Sequence, residues 1–335
     1  MSKRFLVAPD SFKGTFDAAT VAEAIAVGIE AAGGAADRCP VADGGEGTMA
    51  ALLGALGGER RTARVHDPLR RPIEANFAML DDGETAIVET AQASGLPLLA
   101  PEERDPERAD TYGTGGLIAA AIAAGATRVL LAVGGSATTD GGRGAIEALR
   151  ESDAAFVLCT STEGQKTNAA VEVLCDVRTP YEDAARVFAP QKGADPEAVE
   201  RLAAQLDAFA AELPRDPRGV PMTGCAGGLS GGLWAHGATL HPGADFVLDA
   251  LDFDTRLARA DAVVSGEGRF DSQSLEGKIV GAIATRCAGA GKPLHLIVGR
   301  DSLDEPRPTA ISSVSAASSL EEIKRAGGEL AALNS

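Results

Sequence analysis

Two observations predict a doubly wound α/β domain with a second α/β domain inserted in it. The first 57 residues run strand, loop, helix, strand, loop, helix, and the same rhythm returns after about residue 248. Between them, from Arg60, short runs of antiparallel character take over. The expected division is residues 1–59 with 248–335 as one Rossmann- or flavodoxin-like domain, and 60–247 as the inserted α/β domain.

The elements follow in order. Arg4 to Ala8 reads as a buried strand that delivers Asp10, Ser11 and Lys13 into a loop. A helical pattern runs from Asp17 to Ala32, with Asp17 placed to cap it. A second short strand, Asp37 to Val41, delivers Asp43-Gly44-Gly45-Glu46-Gly47-Thr48 and a helix from Met49 to Leu56. Thr62 to Val65 and Ile73 to Leu80 read as antiparallel strands. Asp81-Asp82-Gly83 reads as a hairpin turn before a strand at Thr85 to Thr90. Thr111 to Gly115 opens an alanine-rich helix.

The stretch from Arg128 to Leu149 is the most telling. An apolar run, Val129 to Val133, breaks into Gly134-Gly135-Ser136-Ala137-Thr138-Thr139-Asp140-Gly141-Gly142, and a helical pattern follows. Strand, glycine-rich loop and helix is the layout that holds anions, because free N–H groups at a helix start face the ligand. Its hydroxyls and acid exceed what a tight turn needs, although helix capping by Ser, Thr and Asp explains part of them. Glu151 to Ala170 is polar and reads as a surface connection. Val171 to Cys175 is a strand ending in Asp176, and Gln191-Lys192 precedes a helix at Pro196 to Leu213. Gly224 to Leu229 is a further glycine-rich helix entry. Asp261 to Ser265 is a strand ending in Gly266-Glu267-Gly268-Arg269-Phe270-Asp271-Ser272-Gln273, and Gly277-Lys278 begins the next helix. His295 to Val298 and Ala310 to Val314 read as the last strands.

Composition narrows the function. The net charge is −17 and no Lys/Arg cluster appears, which argues against nucleic-acid binding. The most apolar long segment, Leu117 to Val133, is interrupted by Gly125, Thr127 and Arg128, so no membrane span is expected. Five scattered cysteines without a CxxC pair fit a reducing cytoplasm. No P-loop, H-E-x-x-H or G-x-S-x-G motif occurs. Gly45-x-Gly47-x-x-Ala50 fits a dinucleotide fingerprint, but Asp43 and Glu46 would repel a pyrophosphate unless a metal ion lay between. What the strand-end loops share is oxygen ligands, glycine-rich cradles and a few cations. Those are the parts of phosphoryl transfer.

Six segments carry a family resemblance: Ala8–Gly14, Ala42–Thr48, Thr111–Gly115, Gly134–Gly142, Pro190–Ala194 and Gly266–Ser274. Collinear over nearly the whole chain, they resemble the signatures of the type I glycerate kinase family. The resemblance implies ATP-dependent, Mg²⁺-assisted phosphorylation of D-glycerate in a cleft between two domains. The family usually has Asn where Thr139 stands, and a different run where Asp176 to Glu182 stands.

The expected roles follow from chemistry at those positions. Asp140 is the first choice for the hydroxyl-orienting carboxylate or base, with Asp176 its rival. Lys13, Lys192 and Arg269 would stabilise developing charge. Asp43, Glu46, Glu267 and Asp271 would hold metal. Asp10, Ser11, Gly44, Gly45, Gly47 and Thr48 would contact substrate or nucleotide, as would Gly134, Gly135, Ser136, Thr138 and Gln191, and Gly266, Gly268, Gln273 and Lys278. ATP and Mg²⁺ are the expected cofactors and glycerate the expected substrate, in a cytoplasmic monomer or homodimer. A kinase for another small hydroxy acid and a weakly active metabolite sensor remain open. A nicotinamide dehydrogenase rests only on the fingerprint at Gly45.

Overall fold

The computed structural model describes residues 2–152, 169–275, 277–304 and 306–333. The chain forms two compact units. One comprises Met1–Asp43, Ala50–Ala55 and Ala244–Ser335, and the other Gly44–Met49 and Leu56–Gly243. The central part of the surface connection expected at Glu151 to Ala170 lies outside the described residues.

Along the chain, β1 (Arg4–Pro9), α1 (Ala18–Ala31), β2 (Ala35–Arg38) and α2 (Thr48–Leu56) come first. Then follow β3 (Gly58–His66), β4 (Pro72–Leu80), β5 (Thr85–Glu89) and a one-turn α3 (Ala91–Ser94). Next are α4 (Tyr112–Ala123), β6 (Arg128–Ala132), α5 (Arg143–Glu151) and β7 (Ala170–Cys175). Helices α6 (Ala184–Phe188), α7 (Pro196–Ala210) and α8 (Cys225–Ala235) precede β8 (Thr239–Pro242). The chain ends with α9 (Gly243–Ala250), α10 (Phe253–Arg259), β9 (Ala262–Gly266), β10 (Arg269–Phe270) and α11 (Ile279–Ala290), then β11 (Leu294–Val298), β12 (Arg300–Asp301), β13 (Ile311–Ala316) and α12 (Leu320–Leu333).

The first unit carries a five-stranded sheet ordered β13-β11-β9-β1-β2, parallel throughout. Numbered within the unit, that order is the flavodoxin-like one, with its topological switch between β1 and β9. The sheet is buried on both faces. Phe5 and Val7 of β1 pack with Val21, Ile25 and Ile29 of α1 and with Ile323 and Leu330 of α12. The alternate residues Leu6 and Ala8 are as deeply buried, and α10 and α11 pack against β1 and β9 respectively. Each fully buried Ile or Phe contributes about 1.5–3 kcal/mol. Helices α1 and α12 touch backbone to backbone at Gly28, where a Cβ would stand 1.9 Å from the Lys324 carbonyl oxygen.

In the second unit, six strands run β3-β4-β5-β6-β7-β8. The hairpins β3–β4 and β4–β5 are antiparallel, and β5 to β8 are parallel. The turn at Asp81–Gly83 joins β4 and β5 as the sequence predicts. Leu117 and Ile118 of α4, Leu149 of α5 and Leu229 and Leu233 of α8 cover one face of this sheet. A smaller cluster gathers Tyr181, Leu202 and Leu206 around α6 and α7.

Expected and observed elements differ in places. The second strand is Ala35–Arg38, two residues earlier than the apolar run Cys39 to Val41 suggests. That run is buried as a loop, with Cys39 N–H bonded to the Val7 carbonyl. The expected glycine-rich entry to α8 contains three successive left-handed residues, Ala226, Gly227 and Gly228, at φ 51, 66 and 89°.

Candidate active site

In open α/β sheets, ligands bind at the carboxyl ends of strands beside the topological switch. In the first unit those ends belong to β1 and β9, and the Asp10 N–H donates to the Gly266 carbonyl across them at 2.8 Å. A cavity of about 590 Å³ opens there. Its walls include Asp10, Asp43 and Glu267 with Lys13, Arg269 and Lys278. Ser11, Gly268, Asp271 and Gln273 also line it, so sequence-expected residues from three separated segments share one cavity.

Asp10 and Asp43 are buried, Glu267 and Asp271 half-buried, and neighbouring carboxylates raise the pKa of Asp10 and Glu267. Burial, the nearby charge of Asp43 and that of Glu267 push the Asp10 carboxyl up to about 8, despite the Ser11 N–H and Lys13 pulling the other way. Burial pushes Glu267 up to about 7, with Asp271 and Asp43 adding to it while Ser274 and Lys278 oppose it. Glu267 Oε1 is buried without a hydrogen-bond partner. Asp271 is more committed: it accepts the Gln273 N–H at 3.1 Å and has Arg269 Nε at 3.3 Å.

The second unit holds the remaining set. Lys192 lies on a 3-10 turn, Pro190–Lys192, and is 3% exposed. Its Nζ donates to Ser136 Oγ at 3.0 Å and to the Thr138 carbonyl at 2.5 Å. Burial pulls this ammonium down to about 8, against the charges of Asp140 and Asp176. Thr138 Oγ1 and Thr139 Oγ1 are buried without partners. Asp176 follows β7 and is half-buried, whereas Gln191 is exposed.

Asp140 is tied to its surroundings by four hydrogen bonds. Its Oδ2 accepts from Thr111 N (2.9 Å), Thr111 Oγ1 (2.7 Å) and Gly144 N (3.0 Å), and its Oδ1 from Gly142 N (3.1 Å). Oδ2 is thus shared by three donors, while Oδ1 takes one and keeps a lone pair to spare. The geometry is that of a staple holding the loop to the starts of α4 and α5.

Several of the glycines expected to bind ligand are also closely packed. Gly44 lies at φ 93°, and a Cβ there would stand 2.6 Å from Gly243 Cα. A Cβ on Gly134 would meet Gly45 Cα at 2.7 Å, and one on Gly266 the Ile297 carbonyl oxygen at 1.9 Å. Gly47, at φ 96°, faces open space and donates its N–H to Glu89 Oε1 at 3.0 Å. Glu46 is exposed and belongs to the second unit, beside Gly135. Among the described residues no three His, Cys, Asp or Glu side chains form a metal cage.

A sequence profile of the glycerate kinase family matches residues 5–330. The chain belongs to the glycerate kinase family. The chain is 39% identical over 331 residues to a glycerate kinase of Bacillus subtilis (strain 168), covering 90% of this chain and 86% of that one. It is 35% identical over 323 residues to the glycerate 2-kinase of Escherichia coli (strain K12), covering 88% and 85%. The crystal structure of a Salmonella typhimurium LT2 protein assigned as a glycerate kinase 2 superposes with a TM-score of 0.80 at 32% identity, over 100% of this chain and 98% of that one. As a glycerate kinase family member the chain is a phosphotransferase, and the dehydrogenase reading of Gly45 falls away. The backbone of Gly134 occupies the space beside Gly45 instead.

Sequence reading missed three polar side chains of these two sets. Glu89 is buried, accepts the Gly47 and Met49 N–H groups at 3.0 and 2.9 Å, and caps the start of α2. Burial shifts its carboxyl upward. Thr111 was legible only as part of a motif, and its partnership with Asp140 needs the fold. Arg300, from the far end of the chain, lines the first unit's cavity and has no glycine-rich motif around it.

Proposed function

We propose that the chain transfers the terminal phosphoryl group of ATP to a hydroxyl of D-glycerate, assisted by Mg²⁺. Family membership supports the reaction class. The observation that carries the reading is the carboxylate set of buried Asp10 and Asp43 with half-buried Glu267, beside Lys13 and Lys278, at the switch point of a parallel sheet.

The donor set suits a hard cation. All three side chains offer carboxylate oxygens, and Glu267 Oε1 is buried without a partner. Asp10, Asp43 and Glu267 would hold Mg²⁺ at least partly through water, which keeps Asp43 and Glu267 from the acid set read from sequence, sets Glu46 and Asp271 aside and adds Asp10. The ion, when bound, neutralises phosphate charge. Lys13 and Arg269 in the first unit, and Lys192 in the second, are the cations available to stabilise phosphoryl charge. Ser136 and Thr138 hold a phosphate or the substrate carboxylate.

Asp176 orients the attacking hydroxyl and takes its proton late, because phosphoryl transfer needs little early deprotonation. Asp140, already engaged by four donors, is assigned the staple described above. The scattered spacing of the five cysteines, with no CxxC pair, supports a reducing compartment such as the cytoplasm. No helix among the described residues is long and apolar enough to cross a membrane.

Coupled ADP release with a panel of small hydroxy acids tests the reading. D-glycerate is expected to give the highest kcat/KM. A better substrate in the panel would move the specificity, and no acid-dependent ADP release would overturn the reaction.

A further inference from the structure

The two-stranded ladder of β10 and β12 places Arg269 directly opposite Arg300, and Phe270 opposite Asp301. Backbone bonds hold it in register: Arg300 N–H to the Gly268 carbonyl at 3.0 Å, and Ser302 N–H to the Phe270 carbonyl at 2.8 Å. Phe270 is buried while both arginines are exposed, and both line the cavity beside Asp10 and Glu267. Like charges directly opposite on paired strands destabilise the pair. Asp271 offsets Arg269 at 3.3 Å, but among the described residues Arg300 has no carboxylate partner. The parallel strand pairing therefore sets two arginines side by side on the wall of a cavity, an arrangement of like charges that an anion would favour.

The rest of the wall says what kind of anion fits. Lys13 and Lys278 add two more cations, while Asp10, Asp43, Glu267 and Asp271 add four carboxylates. A small monoanion such as glycerate would leave most of the cations unanswered. A bare polyanion would meet the carboxylates. A polyphosphate carrying a divalent cation answers both sets, and the cavity is within the size range of sites for ligands larger than glycerate. Guanidinium forks suit phosphate oxygens because they present paired donors at the right spacing.

We infer that Arg300 is a further binding residue, and that Arg269 and Arg300 together grip the phosphate chain of a nucleoside triphosphate in this cavity. The inference rests on the phosphoryl-transfer reading above. It assigns the nucleotide to the first unit's cavity, which the motifs alone leave open.

Calorimetric titration of Mg·ADP into the wild type, Arg300→Gln and Arg300→Lys tests it, with KM for D-glycerate and the ligand-free Tm measured alongside. Arg300→Gln is expected to weaken Mg·ADP binding about tenfold and Arg300→Lys less, as fits loss of a charged phosphate contact. KM for D-glycerate should stay within about twofold, and the ligand-free Tm should hold or rise because a like-charge pair is relieved. Unchanged Mg·ADP affinity in Arg300→Gln overturns the grip. So does a rise in KM for D-glycerate alone, or a drop in ligand-free Tm that accounts for the weakened binding. The wild type separates the two levels: turnover with an unaffected variant sinks only the arginine pair, whereas no ATP-dependent turnover in the wild type sinks the reaction itself.

Discussion

Thr111 and Asp140 are joined twice: one carboxylate oxygen, Asp140 Oδ2, accepts both the backbone N–H and the hydroxyl of Thr111. The Thr111 hydroxyl oxygen in turn accepts the Ala145 N–H at 3.0 Å. Two side chains thus tie the first turn of α4, the glycine-rich loop and the first turn of α5 into one piece. The close approach they require is met by Gly144, where a Cβ would stand 2.6 Å from Tyr112 N. The loop that presents Ser136 and Thr138 is held in shape by this knot.

Asp140→Asn therefore acts first on stability. An amide can present only one acceptor oxygen, and its NH₂ group faces N–H donors. The substitution is expected to cost about 2–3 kcal/mol, the scale of losing hydrogen bonds to a charged group. Urea denaturation reads this out. An unchanged midpoint combined with a large fall in kcat would return Asp140 to the role of base.

Asp176→Asn should behave in the opposite way. With the hydroxyl-orienting carboxylate gone, kcat is expected to fall by roughly 10²–10⁴ while the urea midpoint stays near the wild-type value. Turnover close to wild type would remove Asp176 from the chemistry.

Lys192 makes activity and stability move in opposite directions with pH. Its folded-state pKa, about 8, lies below the ordinary value of 10.5. The ammonium is present below pH 8 and is lost as pH rises through it, so kcat/KM should fall along an alkaline limb that starts near pH 8. Between 8 and 10.5 the unfolded chain binds more protons than the folded one, so this group's contribution to stability rises with pH there. Lys192→Met should abolish the limb along with most of the activity, and should remain folded because the site is buried. A flat wild-type profile up to pH 10 would show that the charge on Lys192 is not needed.

Gly227→Ala tests how tightly α8 clamps the same loop. Gly227 lies at φ 66°, its carbonyl accepts the Gly141 N–H at 3.0 Å, and a Cβ there would stand 2.0 Å from the Thr138 carbonyl oxygen. Left-handed strain and the backbone clash together should cost about 3 kcal/mol or more. Gly219→Ala, also at positive φ but facing open space, should cost only the strain. Equal losses in the two variants would show that α8 does not clamp the loop.

The parallel strands were legible because they are apolar on both faces. Arg128 to Ala132 and Ala262 to Gly266 stand out as short unbroken runs, and the cap at Asp17 is confirmed by its bond to the Thr20 N–H at 2.7 Å. The second strand was misplaced because half-exposed Ala35 to Arg38 pair in the sheet, while the more apolar Cys39 to Val41 is a buried loop. Loop chemistry was legible as a set of residue types. Its partnerships were not, because Asp140 looks the same in sequence whether it accepts a substrate proton or four N–H and O–H donors. Arg300 carried no local signal at all. Only the two-residue ladder to Arg269 brings it to the cavity.

The most direct measurement is ³¹P NMR of purified enzyme with Mg²⁺, ATP and D-glycerate. ADP and a phosphoglycerate monoester should appear in equal amounts, with the coupling pattern giving the position phosphorylated, and both should stop on chelation of the metal. Persistence of ATP with no phosphomonoester, under conditions where the protein is folded and binds Mg·ADP, would contradict phosphoryl transfer to glycerate.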